Sequence, residues 1–318
     1  MWRYVVKRLL YLIPVIIGVS LLIFVLMDLA PGDIVTLKIG EDAAMSDEEM
    51  AELYAAYNLD KPLPVRYIEY MQHFIRGDLG NSYATGEPVL ELYVSRLPAT
   101  LRLALASILV SIIISIPLGI LSAMKRGSIT DNLSSFGMLL GLSIPNFWLG
   151  LVLIIFFSLT LHWLPTGGDK GTLEYLIMPA ITLGTALTAQ LGRTTRSSML
   201  DVIRQDYLRT VRAKGAGERY VIWRHALKNA LIPILTIIGT QLAAALGGSV
   251  VTETVFAWPG TGRLLMDSIN GRDIPMVTGI LLIKTIVMSL IMLAVDLLYA
   301  AVDPRIRAQY IRKGRKKA

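Results

Sequence analysis

Residue types that carry most enzyme chemistry are sparse in this chain of 318 residues. Cysteine is absent, and histidine occurs three times, as His73, His162 and His225. This composition argues against zinc, iron–sulfur or thiol chemistry and offers no disulfide. The His, Asp and Glu residues also form no convergent cluster of the kind that a membrane enzyme needs at one membrane face. We therefore predict a non-catalytic chain without metal ligands and without a cofactor of its own.

A nucleotide-binding loop is also missing. The glycine-rich segment Pro259-Gly260-Thr261-Gly262-Arg263 lacks the G-x4-G-K-[ST] spacing that lets backbone amides and a lysine cradle phosphates. The chain is therefore not expected to bind ATP through this motif.

Lys284 is the one charge well inside a long apolar segment. An ionisable group at membrane depth is costly and by default marks a pathway or a charged partner. Lys284 is therefore a candidate for a translocation path, where it would meet a carboxylate of the cargo. The alternatives are a pairing with an acid elsewhere and a side chain that snorkels to the interface.

The segment 200–228 is long, basic and patterned. Apolar residues recur there at roughly helical spacing up to Ala213, and Gly215-Ala216-Gly217 then interrupts the pattern. A second short helix is predicted around Tyr220 and Trp223. Two helices joined by a glycine turn suit docking into a partner's groove. They equally suit an amphipathic surface element held by anionic lipid.

The rest of the sequence is dominated by membrane-spanning patterns. Hydrophobic residues make up 54% of the chain and charged residues 17%, against about 25% charged in soluble domains. Five stretches without Asp, Glu, Lys or Arg approach or exceed the ~20 residues that a transmembrane helix needs. They are Leu9–Met27, Leu103–Met124, Asn132–Leu161, Tyr175–Gly192 and Ala230–Thr252, and a sixth span, Ile274–Leu298, contains Lys284 and Asp296. We predict an all-α polytopic membrane protein with six transmembrane helices, the first of them an uncleaved anchor.

The charges of the loops predict the orientation. Residues 31–97 carry five basic and twelve acidic residues, whereas 193–228 carries nine basic and three acidic ones. The hairpin at Lys125-Arg126 and the tail after Pro304 are basic as well. Because basic loops stay in the cytoplasm, both termini and the segment 200–228 are expected inside. The net charge of +7 is thus explained by topology, and nucleic acid is not an expected partner.

These spans predict the domain organisation. Residues 1–30 form the anchor, 31–97 an external helical segment, 98–302 a five-span permease domain and 303–318 a basic cytoplasmic tail. In the external segment we expect helices at 47–57 and 65–75, because Ser46 precedes three acidic residues that favour a helix N-terminus.

Several motifs resemble one family of transport proteins. The run DYLRTVRAKGAGERYVIWRHALKNALIP, with Arg209-Thr210-Val211-x3-Gly215, is similar to the EAA loop of ABC importer permeases, in the version of dipeptide and oligopeptide permeases. The general Ile-x-Leu-Pro element is replaced here by His225-Ala226-Leu227-Lys228, as in that peptide-type subgroup. Further matches, in the expected order, are RYVVKRLLYLIP, DLAPGD, LGNS, LPAT, SIPNFW, ETVFAWPGTGRLL and VDLLYAAVDPRIR.

The resemblance implies a permease subunit of a type I ABC importer in a bacterial or archaeal cell membrane. Such a subunit and a second permease each form half of the translocation path. Two cytoplasmic ATPases bind ATP and Mg, and an external binding protein delivers the cargo. Membrane lipid is the remaining partner, and a dipeptide or oligopeptide is the expected cargo. Nickel or glutathione carried by the same machinery is the alternative, and an ion-coupled secondary transporter is the rival from another class.

The resemblance also implies roles for two groups of residues. ATPase coupling is expected of the residues around the glycine turn, namely Arg209, Thr210, Val211, Arg212, Gly215, Ala216, Arg219 and Trp223. An external loop that reaches the binding protein is expected to contain Glu253, Trp258, Pro259 and Gly260. For the arginines the alternative is a topology charge facing lipid phosphate, and for the external loop it is a compact Pro-Gly turn.

Overall fold

The computed structural model describes residues 2–30, 32, 34–39 and 46–302. Within these ranges the regular elements are helices, with one isolated bridge between Asn81 and Pro88. The prediction of an all-α fold is therefore confirmed. The predicted basic tail at 303–318 lies outside the described residues.

The helices follow one another along the chain with short connections. They are α1 Trp2–Leu29, α2 Ile34–Ile39, α3 Asp47–Ala56, α4 Leu63–Ile75, α5 Val89–Met124, α6 Ile129–Ser143, α7 Asn146–Leu153, α8 Leu173–Ile203, α9 Asp206–Ala213, α10 Glu218–Tyr220, α11 Leu227–Gly248, α12 Val250–Val255, α13 Thr261–Asn270 and α14 Ile274–Val302. Wider π-helical turns continue α7 over Ile154–Thr160 and join α10 to α11 over Val221–Ala226.

Five described helices are long and apolar enough to cross a membrane. They are Tyr4–Leu29, Val89–Met124, Leu173–Ile203, Glu218–Gly247 and Ile274–Leu297. The pair Ile129–Ser143 and Asn146–Thr160 meets the same test with a bend of 96°. Counted as one broken span, this pair completes the six spans that the sequence predicts.

The bend between α6 and α7 has a local cause. Pro145 has no amide hydrogen to continue the helix, and a residue that precedes proline avoids the α region. Ile144 accordingly takes extended angles, φ −81° and ψ 122°, and Pro145 caps α7. The third span is thus two helices, where the sequence predicts one apolar run.

The segment after the first span is helical, as predicted. Ser46 caps α3 in a capping box, since its hydroxyl accepts from the Glu49 amide at 3.3 Å and the Glu49 carboxylate accepts from the Ser46 amide at 2.9 Å. The hydrogen bonds that the Ser46 amide and hydroxyl donate to the Glu49 carboxylate lower the pKa of Glu49. The second helix begins at Leu63, two residues earlier than expected, because Pro64 is favourable in the first turn.

The chain divides into two compact units. Among the described residues, the first contains 2–5, 101–258 and 290–302, and the second contains those of 6–100 and 259–289. In the first unit α5 and α8 pack closely, because a Cβ on Gly119 would lie 2.7 Å from the Cβ of Thr195. On another face of α5, Leu105, Leu109 and Ile113 are exposed at four-residue intervals, the pattern of a lipid-facing stripe.

The second unit holds its parts together by buried polar contacts as well as by apolar packing. The Ser82 hydroxyl donates to the Asp273 carboxylate at 2.5 Å, and the Thr261 amide donates to the Thr100 hydroxyl at 2.8 Å. Gly279 packs so tightly on Val89 that a Cβ there would lie 2.5 Å from Cγ1.

Candidate functional site

The element that joins α8 to α11, residues 204–226, is anchored by apolar side chains on one side. In α9 the Leu208 side chain is fully buried, and Val221 and Ile222 in the following π-helical turn are buried too. These side chains belong to a core cluster that includes Ile120, Leu191 and other residues of α5, α8 and α11. Since protein interiors are close-packed and transmit strain, a push on this element reaches the spanning helices directly.

Gly215 forms the turn between α9 and α10. Its φ is +82°, in the left-handed region that favours glycine, and its amide donates to the Arg212 carbonyl at 2.9 Å. A Cβ built at Gly215 would have no other atom within 4 Å. The turn therefore requires glycine for its backbone angle, and the space around it stays open.

An ion pair closes this turn. Arg212 donates from Nε and from Nη2 to the two carboxylate oxygens of Glu218, at 2.9 and 2.8 Å. These hydrogen bonds raise the pKa of Arg212 above its usual value. The paired guanidinium braces the two helices against each other, since a bidentate pair fixes geometry as well as charge.

The outward side of the element carries the remaining predicted coupling residues. Tyr220 is 56% exposed and Trp223 is 50% exposed. Arg209, Thr210 and Arg219 are exposed as well, whereas Val211 and Ala216 are partly buried against the core cluster. The structure thus collects an aromatic and basic face around the Gly215 turn.

The boundaries of the element differ from the predicted 200–228 loop. Residues 200–203 belong to α8, and the second short helix is no separate piece, since the helical path runs on from Glu218 to Gly247. The polar character of Arg219, Arg224 and Lys228 conceals this continuity in the sequence. The interruption between the two long helices is therefore confined to residues 204–217, which include the short helix α9.

Two family models match the chain and between them cover most of it. Residues 115–308 match the model described as binding-protein-dependent transport system inner membrane component, and residues 1–104 match the N-terminal model of the same systems. The chain belongs to this family of transport-system membrane components. It is accordingly an inner-membrane permease subunit of a binding-protein-dependent ABC transport system, as its sequence motifs indicate.

The names of similar proteins agree with this assignment over 96% of the chain. The oligopeptide transport system permease protein AppB of Bacillus subtilis is 43% identical over 316 residues, covering 96% of this chain and 99% of that protein. The dipeptide transport system permease protein DppB of Alkalihalophilus pseudofirmus is 43% identical over 335 residues, covering 96% and 100%. The glutathione transport system permease protein GsiC of Salmonella typhimurium is 42% identical over 307 residues, covering 96% and 99%. The resemblance to peptide-type permeases is confirmed.

Solved structures support the fold of the permease. An inward-facing form of the MetNI methionine ABC transporter superposes with a TM-score of 0.56 at 23% identity, covering 67% of this chain and 97% of the other. An amino acid ABC transporter gives a TM-score of 0.52 at 14% identity, covering 67% and 94%. Both likenesses show a shared arrangement of helices.

The predicted external-loop residues of the permease are largely buried within this chain. Glu253 and Trp258 are both 0% exposed. The Ser249 hydroxyl donates to the Glu253 carboxylate at 2.8 Å, and the Arg102 guanidinium lies 5.3 Å from the Trp258 ring centroid. Pro259 is partly exposed and Gly260 is buried. Contact with a binding protein therefore remains a prediction, and in this conformation Glu253 and Trp258 do not offer their side chains to solvent.

Lys284 lies on α14, where it is 7% exposed. Its burial agrees with the intramembrane position that the sequence predicts. Whether the permease uses it in a path remains a prediction. Among the described residues, no group of three or more His, Cys, Asp or Glu could hold a metal ion.

A buried polar cluster in the permease was not foreseen. Arg196 on α8 donates from Nε and Nη2 to the two Asp131 oxygens at 2.8 and 2.7 Å. Asp131 also accepts from the Ser122 hydroxyl and from the Gly127 amide, the latter at 2.9 Å. The cluster ties the α5–α6 hairpin to α8 two turns before α8 ends at Ile203. Arg196 is one of the nine basic residues of 193–228 that the topology argument counts, and its separation of 65 residues from Asp131 gives no signal of pairing in the sequence.

Proposed function

We propose that this permease forms half of the translocation path of an ATP-driven importer of short peptides. The observation that carries the proposal is the 204–226 element, whose inner side is fixed to the core of the spanning helices and whose outer side is aromatic and basic. Such a face suits a groove in a partner, because aromatic and arginine side chains dominate binding energy at protein interfaces. The force generated by the partner would pass through Leu208, Val221 and Ile222 into the spans.

The proposed complex contains four further components. A second homologous permease completes the path, two ATPases bind ATP and Mg and contact the 204–226 element, and an external binding protein delivers the cargo. This chain then needs no cofactor of its own. The arrangement places the termini and the 204–226 element in the cytoplasm, in agreement with the basic charge of these segments.

Peptide cargo is supported by the names of relatives that align over 96% of the chain. AppB and DppB are named for oligopeptide and dipeptide transport. GsiC is named for glutathione transport, and glutathione is itself a short peptide, so that cargo falls within the same chemical class. The described residues contain no group of three or more His, Cys, Asp or Glu that could hold a metal ion, so a peptide remains the proposed cargo.

Affinity purification of the tagged permease from its native membrane tests the assembly. We expect a second permease and an ATPase with a G-x4-G-K-[ST] motif to co-purify. Calorimetric titration of the cognate binding protein with dialanine, glutathione and Ni²⁺ then identifies the cargo. A permease that purifies alone from intact membranes would contradict the proposal, and a binding protein selective for Ni²⁺ would replace the peptide by nickel.

Lys284 provides a test of the path itself. If its ammonium meets a cargo carboxylate, Lys284→Met should leave assembly with the ATPases intact and weaken the apparent affinity for peptides by about tenfold or more, the value of a hydrogen bond to a charged group. Peptide uptake at several concentrations measures this change. The exposed Lys125→Met serves as the control and should transport like the wild type. Unchanged uptake of every peptide by Lys284→Met would leave Lys284 a structural role only.

A further inference from the structure

The helical segment after the first span contains a cavity of about 230 Å³. We call it the cap cavity. It is lined by α1, by Tyr57 and Asn58 after α3, by α4, by the segment 78–83 and by the start of α14, all within the second unit. It lies apart from Lys284 in the sequence and is not used by the transport proposal.

Aromatic side chains form the walls of the cap cavity. The rings of Phe24 and Tyr70 lie 5.2 Å apart, and those of Tyr57 and Tyr83 lie 4.9 Å apart in an edge-on arrangement. The Tyr83 hydroxyl donates to the Tyr57 carbonyl at 3.2 Å. Ring pairs of this geometry are mutually stabilising, so the cavity has a defined shape without a ligand.

Two hydrogen-bond donors in the cap cavity are buried without an acceptor in the described part of the chain. They are Nε of Arg66 and the hydroxyl of Tyr70. Arg66 uses one Nη for an ion pair with Asp28, which leaves Nε available. Burial, together with the charge of Asp78, raises the pKa of Tyr70, so this hydroxyl keeps its proton and can donate. A buried donor without a partner destabilises the protein. A ligand carboxylate that accepts hydrogen bonds from both donors would offset this cost.

Carboxylates occupy the more exposed part of the lining. The Asp78 side chain is 59% exposed and accepts from the Gly80 amide at 2.8 Å. Glu69 is 44% exposed and is bound by Lys61 at 2.8 Å. The lining therefore offers donors at its buried end and negative charge at its exposed end.

From this arrangement we infer that the cap cavity binds a small zwitterion, whose carboxylate meets Arg66 and Tyr70 and whose ammonium meets Asp78 and the aromatic faces. Cations are attracted both to carboxylates and to the faces of aromatic rings. A short peptide and a free amino acid share this chemistry. The connection to transported peptides rests on the proposed function, whereas the cavity and its polarity do not.

Other occupants fit the cap cavity less well. A phosphate dianion carries no cationic group that could meet Asp78 and Glu69 in the lining. One or two bridging waters would fill little of the volume, since a water takes about 30 Å³ in the liquid. Drug-sized ligands generally occupy about 300–1,000 Å³, which favours a smaller molecule here.

Equilibrium dialysis of the purified permease complex, without binding protein or nucleotide, tests the inference. The probes are labelled glycylglycine, glycine, N-acetylglycylglycine and glycylglycinamide. We expect saturable binding of the zwitterions and at least tenfold weaker binding of the two blocked probes. Tighter binding of glycylglycine than of glycine identifies a peptide site, and the reverse identifies a free amino acid.

Two variants locate the binding in the cap cavity. Tyr70→Phe keeps the ring and removes only the buried hydroxyl, and Arg66→Lys keeps the charge for Asp28 but removes Nε. Each should weaken glycylglycine binding about tenfold, the value of one charge-assisted hydrogen bond. Tyr67→Phe is the control, because the Tyr67 hydroxyl lies 3.0 Å from the Ser20 hydroxyl and outside the cavity lining.

The result that would overturn the inference is equally specific. It is an absence of saturable zwitterion binding to the wild-type complex, or equal binding by Tyr70→Phe, Arg66→Lys and Tyr67→Phe. Because ATP-driven uptake is measured separately, either outcome leaves the transport proposal standing.

Discussion

Replacing Gly215 by tryptophan is expected to abolish peptide uptake while the permease still inserts into the membrane. Any side chain at φ +82° strains the backbone by about 1 kcal/mol. The space around a Cβ at Gly215 is open within this chain, so an indole would project into space where a partner can lie. There it would obstruct the face that we assign to the ATPase, and co-purified ATPase should fall together with uptake.

Two control variants separate obstruction from backbone strain. Gly215→Ala carries the strain without the bulk and should retain most of the uptake and ATPase binding. Gly171→Trp is the matched bulky control and should transport like the wild type, because Gly171 has φ +83° and equally open surroundings but lies in the connection before α8. A variant in the tail, Lys316→Ala, should leave peptide uptake and ATPase binding nearly unchanged. If Gly215→Trp transports and binds the ATPase like the wild type, the 204–226 element is not the coupling site and its lipid-surface interpretation takes over.

Loss of the Asp131 charge is expected to have the second largest effect. Asp131→Asn leaves the Arg196 guanidinium without its buried counter-charge. Removing one partner of a buried ion pair lowers the free energy of unfolding by about 3 kcal/mol or more. We expect the lower end of that range here, because the Arg196 side chain is 30% exposed. Thermal unfolding of the purified complex should show a lower melting temperature. Uptake should fall as well, because α8 loses its tie to the α5–α6 hairpin just before the 204–226 element.

The exposed pair Asp206–Arg209 provides the comparison for this variant. Its charged atoms lie 3.6 Å apart, and its side chains are 94% and 77% exposed. Asp206→Asn should therefore change the melting temperature little, because exposed ion pairs contribute about 0–1 kcal/mol. Equal melting temperatures for Asp131→Asn and the wild type would show that the buried cluster does not hold the hairpin.

Patterns local in sequence predict the spans and the start of α3 correctly. A charge-free run is sufficient to identify a span, because lipid leaves no other choice for unpaired backbone groups. Ser46 and Glu49 similarly identify the beginning of α3, since both halves of a capping box lie within four residues. The left-handed turn at Gly215 was also predictable, because its glycine directly follows an amphipathic helix.

Features that depend on contacts between distant residues could not be read from the sequence. The pair Asp131–Arg196 forms only because α6 and α8 meet in space. The burial of Trp258 could not be predicted either, because an aromatic residue before Pro-Gly is equally typical of an exposed turn. The cap cavity combines Phe24, Arg66 and Tyr83 from three separate segments, and none of them lies in a pattern that indicates a ligand.

Uptake of labelled dialanine into proteoliposomes is the most direct measurement of the central claim. The vesicles would contain the purified permease complex, with the cognate binding protein on the substrate-facing side. We predict accumulation that requires both hydrolysable ATP and the binding protein, and that disappears with Gly215→Trp. Accumulation driven by a proton or sodium gradient without ATP would contradict the account and identify a secondary transporter instead.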